Sequence, residues 1–212
     1  MDPARRAEAA TRLRELGHEF VARDLTDEQL AALDETVEGL LTTLREAPAR
    51  TRSAGARPPE EFAAAVPRRG EPRRQGLFAD SMVSGLANPM GLGAQLWRDG
   101  DEAVMEVILG AAFEGAPGRS HGGAVAALVD EAMGVVTAIQ GLIAFTARLD
   151  ITFRAPAPIG ELVVARARLD HRSGRKLTLA ATVTAGDLLI AEATALFITV
   201  DPAAVLGVPS PG

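Results

Sequence analysis

The residues with the most chemical promise are Ser120-His121-Gly122-Gly123, followed at a fixed interval by Asp130-Glu131. They lie in HGGAVAALVDEAMGVVTAI, a proline-free run rich in Ala, Leu and Met that reads as a buried helix beginning at His121. Two glycines in a first helical turn cost about 1 kcal/mol each relative to alanine. What they permit is close approach of another molecule to bare backbone N–H groups, here Gly122 and Gly123. Those amides sit at the positive end of the helix dipole, which favours developing negative charge. A carbonyl under nucleophilic attack needs such donors. Tight packing of a strand or loop against the helix start is the competing explanation for the glycines.

Asp130 weakens that competing explanation, because a carboxylate in an apolar helix is expensive to bury unless paired or used. The chain has no cysteine, and its one G-x-S-x-G string, Gly118 to Gly122, falls in a Gly/Pro-rich loop and not on the strand-to-helix elbow of a serine hydrolase. A carboxylate acting as general base or direct nucleophile is therefore the simplest hydrolytic agent left. Glu131 follows about 100° round the helix, so the two acids do not share a face. One can be exposed or salt-bridged while the other works, and the sequence does not rank them.

Gly122 and Asp130 are eight residues apart, about 12 Å along one helix. A reacting carbonyl must lie on the order of 3 Å from both the donor and the carboxylate or its water. Two antiparallel copies of the helix across a two-fold axis would set one chain's Gly122 beside the other's Asp130. This predicts a homodimer with two shared sites, and leaves open whether two dimers associate as a homotetramer.

Three zones must position these residues. Residues 1–47 read as two helices. In the second, Thr26 and Gln29 form a T-x-x-Q capping box, with Leu25 and Leu30 where a hydrophobic staple would place them. Leu30, Leu33, Val37, Leu40, Leu41 and Leu44 make an apolar stripe at helical spacing, expected to pack on the chain itself or on a partner subunit. A lid over a substrate pocket is the alternative. Residues 48–75 read as a solvated Arg/Pro-rich linker, with Arg50, Arg52, Arg57, Arg68, Arg69, Arg73 and Arg74. Arginines there could instead contact phosphate.

The third zone, 76–212, holds the site. Residues 92–98 and 102–109 flank Asp99-Gly100-Asp101, a hairpin turn. A Gly/Pro-rich loop and the buried helix follow, then strands over 145–154, 161–169, 175–185 and 188–200, punctuated by Pro156, Pro158, Gly160, Ser173, Gly174 and Gly186. Leu149, Ile151 and Phe153 alternate with Arg148, Asp150, Thr152 and Arg154, and Leu177, Leu179, Ala181 and Val183 with Lys176, Thr178, Ala180 and Thr182. Short turns imply an antiparallel sheet, and a helix apolar nearly all round must be wrapped by it. The expected architecture is an α+β hotdog fold with an N-terminal helical extension.

Composition narrows the function classes. Over 212 residues, 47% are hydrophobic and 24% charged, an ordinary globular balance. A net charge of -6 argues against a nucleic-acid binder. His18, His121 and His171 stand far apart with no metal-ligand spacing. The N-terminus lacks the apolar run of a signal peptide, and the most apolar segment, 122–145, carries Asp130 and Glu131. A cytoplasmic protein without metal or cofactor, and without membrane or nucleic-acid partners, is expected.

Over about 85–200 the chain resembles the PaaI-type hotdog acyl-CoA thioesterases of the 4-hydroxybenzoyl-CoA thioesterase-like superfamily. The resemblance rests on Asn88-Pro-Met-Gly-Leu92, on H-G-G-x-x-x-x-x-x-D from His121 to Asp130, on Thr146, and on Ser173-Gly-Arg-Lys176 in a late hairpin. It implies that Gly122 polarises a thioester carbonyl through its N–H. Asp130 would activate water or attack directly, with Thr146 holding the water or nucleophile. His121 would orient the loop or contact substrate, its competing role being a helix cap. Asn88 would contact substrate unless it only shapes an Asn-Pro turn. Arg172, Arg175 and Lys176 would meet the phosphates of coenzyme A, which enters only as part of the substrate. A hydratase or dehydratase acting on acyl thioesters, or a non-catalytic acyl-thioester binder, are the alternatives.

Overall fold

The structure, a computed structural model, describes residues 2–50, 59–71 and 79–201. Arg52, Arg57, Arg73 and Arg74 of the expected linker lie outside them.

The chain starts with α1 (Pro3–Ala22), capped by the Asp2 carboxylate, which accepts from the Ala4 N–H, with Pro3 in the first turn. Next, α2 (Asp27–Glu46) opens with the full capping box, the Thr26 hydroxyl and the Gln29 side chain each accepting the other's backbone N–H. None of the α2 residues is buried; Leu30, Leu40, Leu41 and Leu44 are all exposed. Of the stripe expected to pack on the chain itself or on a partner subunit, the described residues cover only Leu33 and Val37 in part.

Within the stretch expected to be a solvated connector, residues 59–65 form the short helix α3 (Pro59–Ala65). It delivers Val66, 4% exposed, into the main core. The backbone then bridges to the first strand through Arg98 N–H and the Pro67 carbonyl at 2.7 Å. The small apolar run AAAV at 63–66 accounts for this docking amid the arginines.

The sheet begins with the hairpin β1 (Gln95–Asp99) and β2 (Glu102–Ile108), turning on Gly100 at φ 62°. The Gly/Pro-rich segment that follows is more structured than a plain loop. It makes a 3-10 turn over Ala111–Phe113 and a tiny hairpin, β3 (Glu114–Ala116) with β4 (Arg119–Ser120). Then come the core helix α4 (Gly122–Ile139) and four long strands: β5 (Ala144–Phe153), β6 (Leu162–Ser173), β7 (Lys176–Ala185) and β8 (Leu188–Thr199).

The six-stranded sheet has the order β1-β2-β6-β7-β8-β5, with every neighbour antiparallel. It curls round α4, burying Val125, Leu128, Val129, Met133 and Val136 against Met105, Val163, Leu179 and Val183. At 18 residues α4 is long and apolar enough to cross a membrane, but the same features are what a core helix needs when a sheet encloses it. Because β5 lies last in the order, its outer edge has no partner strand among the described residues.

Candidate active site

His121 is the N-cap of α4, in extended backbone at φ −61° and ψ 133°. Its Nδ1 accepts the Gly123 N–H at 2.9 Å, so the neutral ring carries its proton on Nε2. A Cβ on Gly123 would lie 2.9 Å from Nδ1, which explains why position 123 is glycine. The Gly123 amide is thus spent on the cap. Gly122, at the first helical position, keeps its N–H: among the described residues no acceptor engages it. A cavity of about 380 Å³ opens beside it, lined in part by Ser120, Gly122, Val125, Phe153 and Ala157. The Phe153 ring stands 3.4 Å from where a Gly122 Cβ would be.

Further along α4 the two acids separate as helical geometry demands. The Asp130 carboxylate, half-buried, accepts from the Thr146 hydroxyl at 2.7 Å through Oδ1. Among the described residues no donor engages its Oδ2. Glu131 points the other way, into the 79–94 loop, where it accepts from the Ser81 hydroxyl and, at 3.0 Å, from the Ser84 N–H. Glu131 thereby ties the loop to the core helix, and its oxygens are occupied there, not presented to a substrate.

Thr146 reaches Asp130 because of an irregularity in β5. The pairing with β8 runs Thr146 to Phe197, then Arg148 to Leu196 and Leu149 to Ala195, so Ala147 is an extra, bulged residue. Directly opposed residues share a face, and Phe197 and Ala195 are both buried on the helix side. The bulge therefore turns Thr146 inward. A second irregularity, between Leu169 and His171, puts Arg172 opposite buried Leu177, itself opposite Phe197. Thr146, Phe197, Leu177 and Arg172 thus form one row across the sheet, about 14 Å long at the usual strand spacing.

The remaining expected residues are placed as follows. Arg172 and Lys176 are exposed at the β6–β7 hairpin tip, which turns on Gly174 at φ 58°. The Arg175 Nε donates to the Thr199 carbonyl at 3.0 Å, pinning that tip to the end of β8. Asn88 uses its side chain inside its own loop, donating to the Asp80 and Ser81 carbonyls and accepting the Met90 N–H at 2.9 Å. It shapes the Asn-Pro turn. Among the described residues no cluster of three or more His, Asp or Glu side chains is close enough to hold a metal ion.

The structure thus brings His121, Gly122 and Gly123 together at one end of α4 and Asp130 with Thr146 farther along it; it keeps Glu131 and Asn88 in the 79–94 loop. Sequence reasoning missed Ser81 and Ser84 as anchors, and Phe153 as a wall of the cavity. The first two carry no spacing signal toward residue 131; the third was legible only as an apolar strand position.

With a cap histidine, an amide that no described acceptor engages and a half-buried acid along it, the core helix wrapped by an antiparallel sheet makes a hotdog fold. A crystal structure of a thioesterase superfamily protein shares it over 91% of this chain and 90% of its own, with TM-score 0.75 and 23% identity. The Thioesterase superfamily family model matches residues 117–192, from the β3–β4 turn into β8. Over those residues the chain is similar to that superfamily. Among curated proteins, acyl-coenzyme A thioesterase THEM4 of Bos taurus is 36% identical over 128 residues, 58% of this chain and 53% of that protein. Its Mus musculus counterpart is 41% identical over 92 residues, 42% of this chain and 40% of that protein. The chain therefore spans about half, or less, of the length of these relatives.

Proposed function

We propose that this chain hydrolyses acyl thioesters, acyl-coenzyme A in particular, to a free acid and a thiol, at sites shared between two copies. The observation carrying this reading is the Thr146–Asp130 hydrogen bond of 2.7 Å beside the unpaired edge of the sheet. Thr146 holds one carboxylate oxygen and leaves the other to act.

In this reading the thioester oxygen accepts the Gly122 N–H, which polarises the carbonyl and holds the charge that develops on attack. Asp130 either takes a proton from the attacking water or attacks the carbonyl itself, giving a mixed anhydride that water then opens. Both routes consume one water and release the acid and a thiolate that takes up a proton; in the second the thiolate leaves as the anhydride forms, before water opens it. No metal or separate cofactor enters; coenzyme A arrives as part of the substrate. Arg172, on the Thr146 row, and Lys176, exposed at the same hairpin tip, are suited to its phosphates.

The shared site follows from register. Along one chain, Gly122 lies by Phe153 and Asp130 by Thr146, so α4 runs antiparallel to β5. If β5 pairs with its own copy about a two-fold axis at Asp150, then with Ala147 bulged Thr146 of one copy faces Phe153 of the other. The second copy's Gly122 then arrives beside Asp130. Exposed Phe145 and Phe153, at 56% and 52%, give that edge apolar surface to bury. We place the protein in the cytoplasm, and larger assembly than the dimer is left to its measured mass.

The test is thiol release from a panel of acyl-coenzyme A esters. Wild type should release thiol, and Asp130→Asn should lose about 10²–10⁴-fold while still binding the ester. An Asp130→Asn variant at full rate would sink the proposal. Hydration of an enoyl ester without thiol release would favour a hydratase, and binding without turnover a carrier.

A further inference from the structure

We propose that His18 is a positioning residue for the thioester site, and that α1 acts as a strut fixing the loop that presents Gly122. This rests on the hydrolase reading above for its catalytic consequence, though not for its geometry.

One face of α1 meets the hotdog domain. Ala10 is 3% exposed, the Arg14 guanidinium donates to the Asn88 carbonyl at 2.7 Å and more weakly to that of Leu86, and His18 lies one turn further on. The His18 Nδ1 accepts the Ala112 N–H at 3.1 Å. Its ring meets Phe113 edge-to-face, with centroids 5.3 Å apart and planes at 70°. The contact requires Gly110, since a Cβ there would fall 2.5 Å from Nδ1 and 2.7 Å from Cε1. With Cγ also at 2.9 Å, the whole ring would have to swing off the turn or take the helix with it.

The turn so held is joined to the site by one bond. The Phe113 carbonyl accepts the His121 N–H at 2.8 Å. His121 is the cap residue whose imidazole fixes Gly123 and whose peptide carries the Gly122 amide. The path from the N-terminal extension to the proposed carbonyl donor is therefore His18, the 110–113 turn, His121, Gly122. A donor displaced by a fraction of an ångström loses much of its value to a developing oxyanion. His18 itself touches no reacting atom.

His18→Asn keeps an acceptor close to the position of Nδ1, whereas His18→Ala removes it, and Gly110→Ala pushes the ring off the turn. With acyl-coenzyme A as probe, His18→Ala and Gly110→Ala should lower kcat by about 10-fold with KM nearly unchanged, the pattern of a lost transition-state interaction. His18→Asn should recover most of the rate. Amide hydrogen exchange provides the second readout: in His18→Ala the His121 amide should exchange at least about 10-fold faster, with β6 to β8 unchanged. Unchanged exchange at His121, exchange rising equally throughout the sheet, or failure of His18→Asn to rescue would each overturn the inference. Wild type inactive toward every ester would overturn the hydrolase reading instead, while the exchange result would still decide the role of His18.

Discussion

The Thr146 hydroxyl reaches the Asp130 carboxylate at 2.7 Å only because Ala147 is bulged out of register with β8. A strand in strict alternation would put Thr146 on the face of Arg148 and Asp150, which are bridged to each other on the outer side at 2.7 Å. The bulge converts a solvent position into one facing the core helix, without changing any residue type.

From this it follows that Thr146→Ala should keep the fold and ester binding yet lower kcat by about 10-fold, as expected for losing a hydrogen bond to a charged group. Thr146→Ser should stay within about 3-fold of wild type, since the donor survives. Steady-state thiol release on the purified variants checks both.

The proposed sharing of sites between two copies makes a stoichiometric prediction. Gly122→Pro removes one N–H at the first helical position, where proline is tolerated and where His121 already has the extended backbone that a following proline demands. Alone, Gly122→Pro and Asp130→Asn should each be nearly inactive. Mixed, unfolded and refolded together, they should recover about one quarter of wild-type activity: half the dimers are mixed, each with one intact site. No recovery would place both groups in a single chain.

Glu131 should matter for stability more than for chemistry. Glu131→Ala strands the Ser84 N–H, a backbone donor beside a fully buried residue, and frees Ser81. The expected loss is about 1–3 kcal/mol, or roughly 2–10 °C in Tm for a chain of this size. Calorimetry checks it.

His18 sets a pH dependence of stability. Burial lowers its pKa, and the Arg14 cation lowers it further; residues 110–113, packed against it, are Gly-Ala-Ala-Phe and add no titratable group. With the folded value below the unfolded one of about 6.5, the unfolded chain takes up the proton first as pH falls. The His18 contribution is full above the unfolded value and is lost as pH drops through the depressed folded value. Wild type should therefore lose more Tm than His18→Asn between about pH 7 and 5.

Much of this fold was legible because its strands alternate and its core helix does not. Leu177, Leu179, Ala181 and Val183 are buried as their period of two requires, and the HGG…D run is a helix from Gly122 to Ile139. The capping box at Thr26 formed as written. What escaped was set by contacts remote in sequence. The AAAV run that docks Val66 is too short amid the arginines to stand out as core, and nothing near Ser81 points to Glu131, 50 positions away. The split between the two acids was legible as an angle; that Thr146 would turn toward Asp130 depended on a bulge that β-propensity does not encode. The two glycines differ in surroundings: among the described residues no acceptor engages the Gly122 amide, whereas Gly123 makes room for the His121 ring.

The fit of the His18 ring over Gly110 also has a genealogical consequence. Two positions 92 residues apart occupy what is nearly one volume, so neither can drift freely while the other stays fixed. Among descendants of this architecture, a side chain gained at 110 should coincide with a smaller residue at 18. Chains that have shed the N-terminal helices should tolerate any residue at 110 that the turn itself allows.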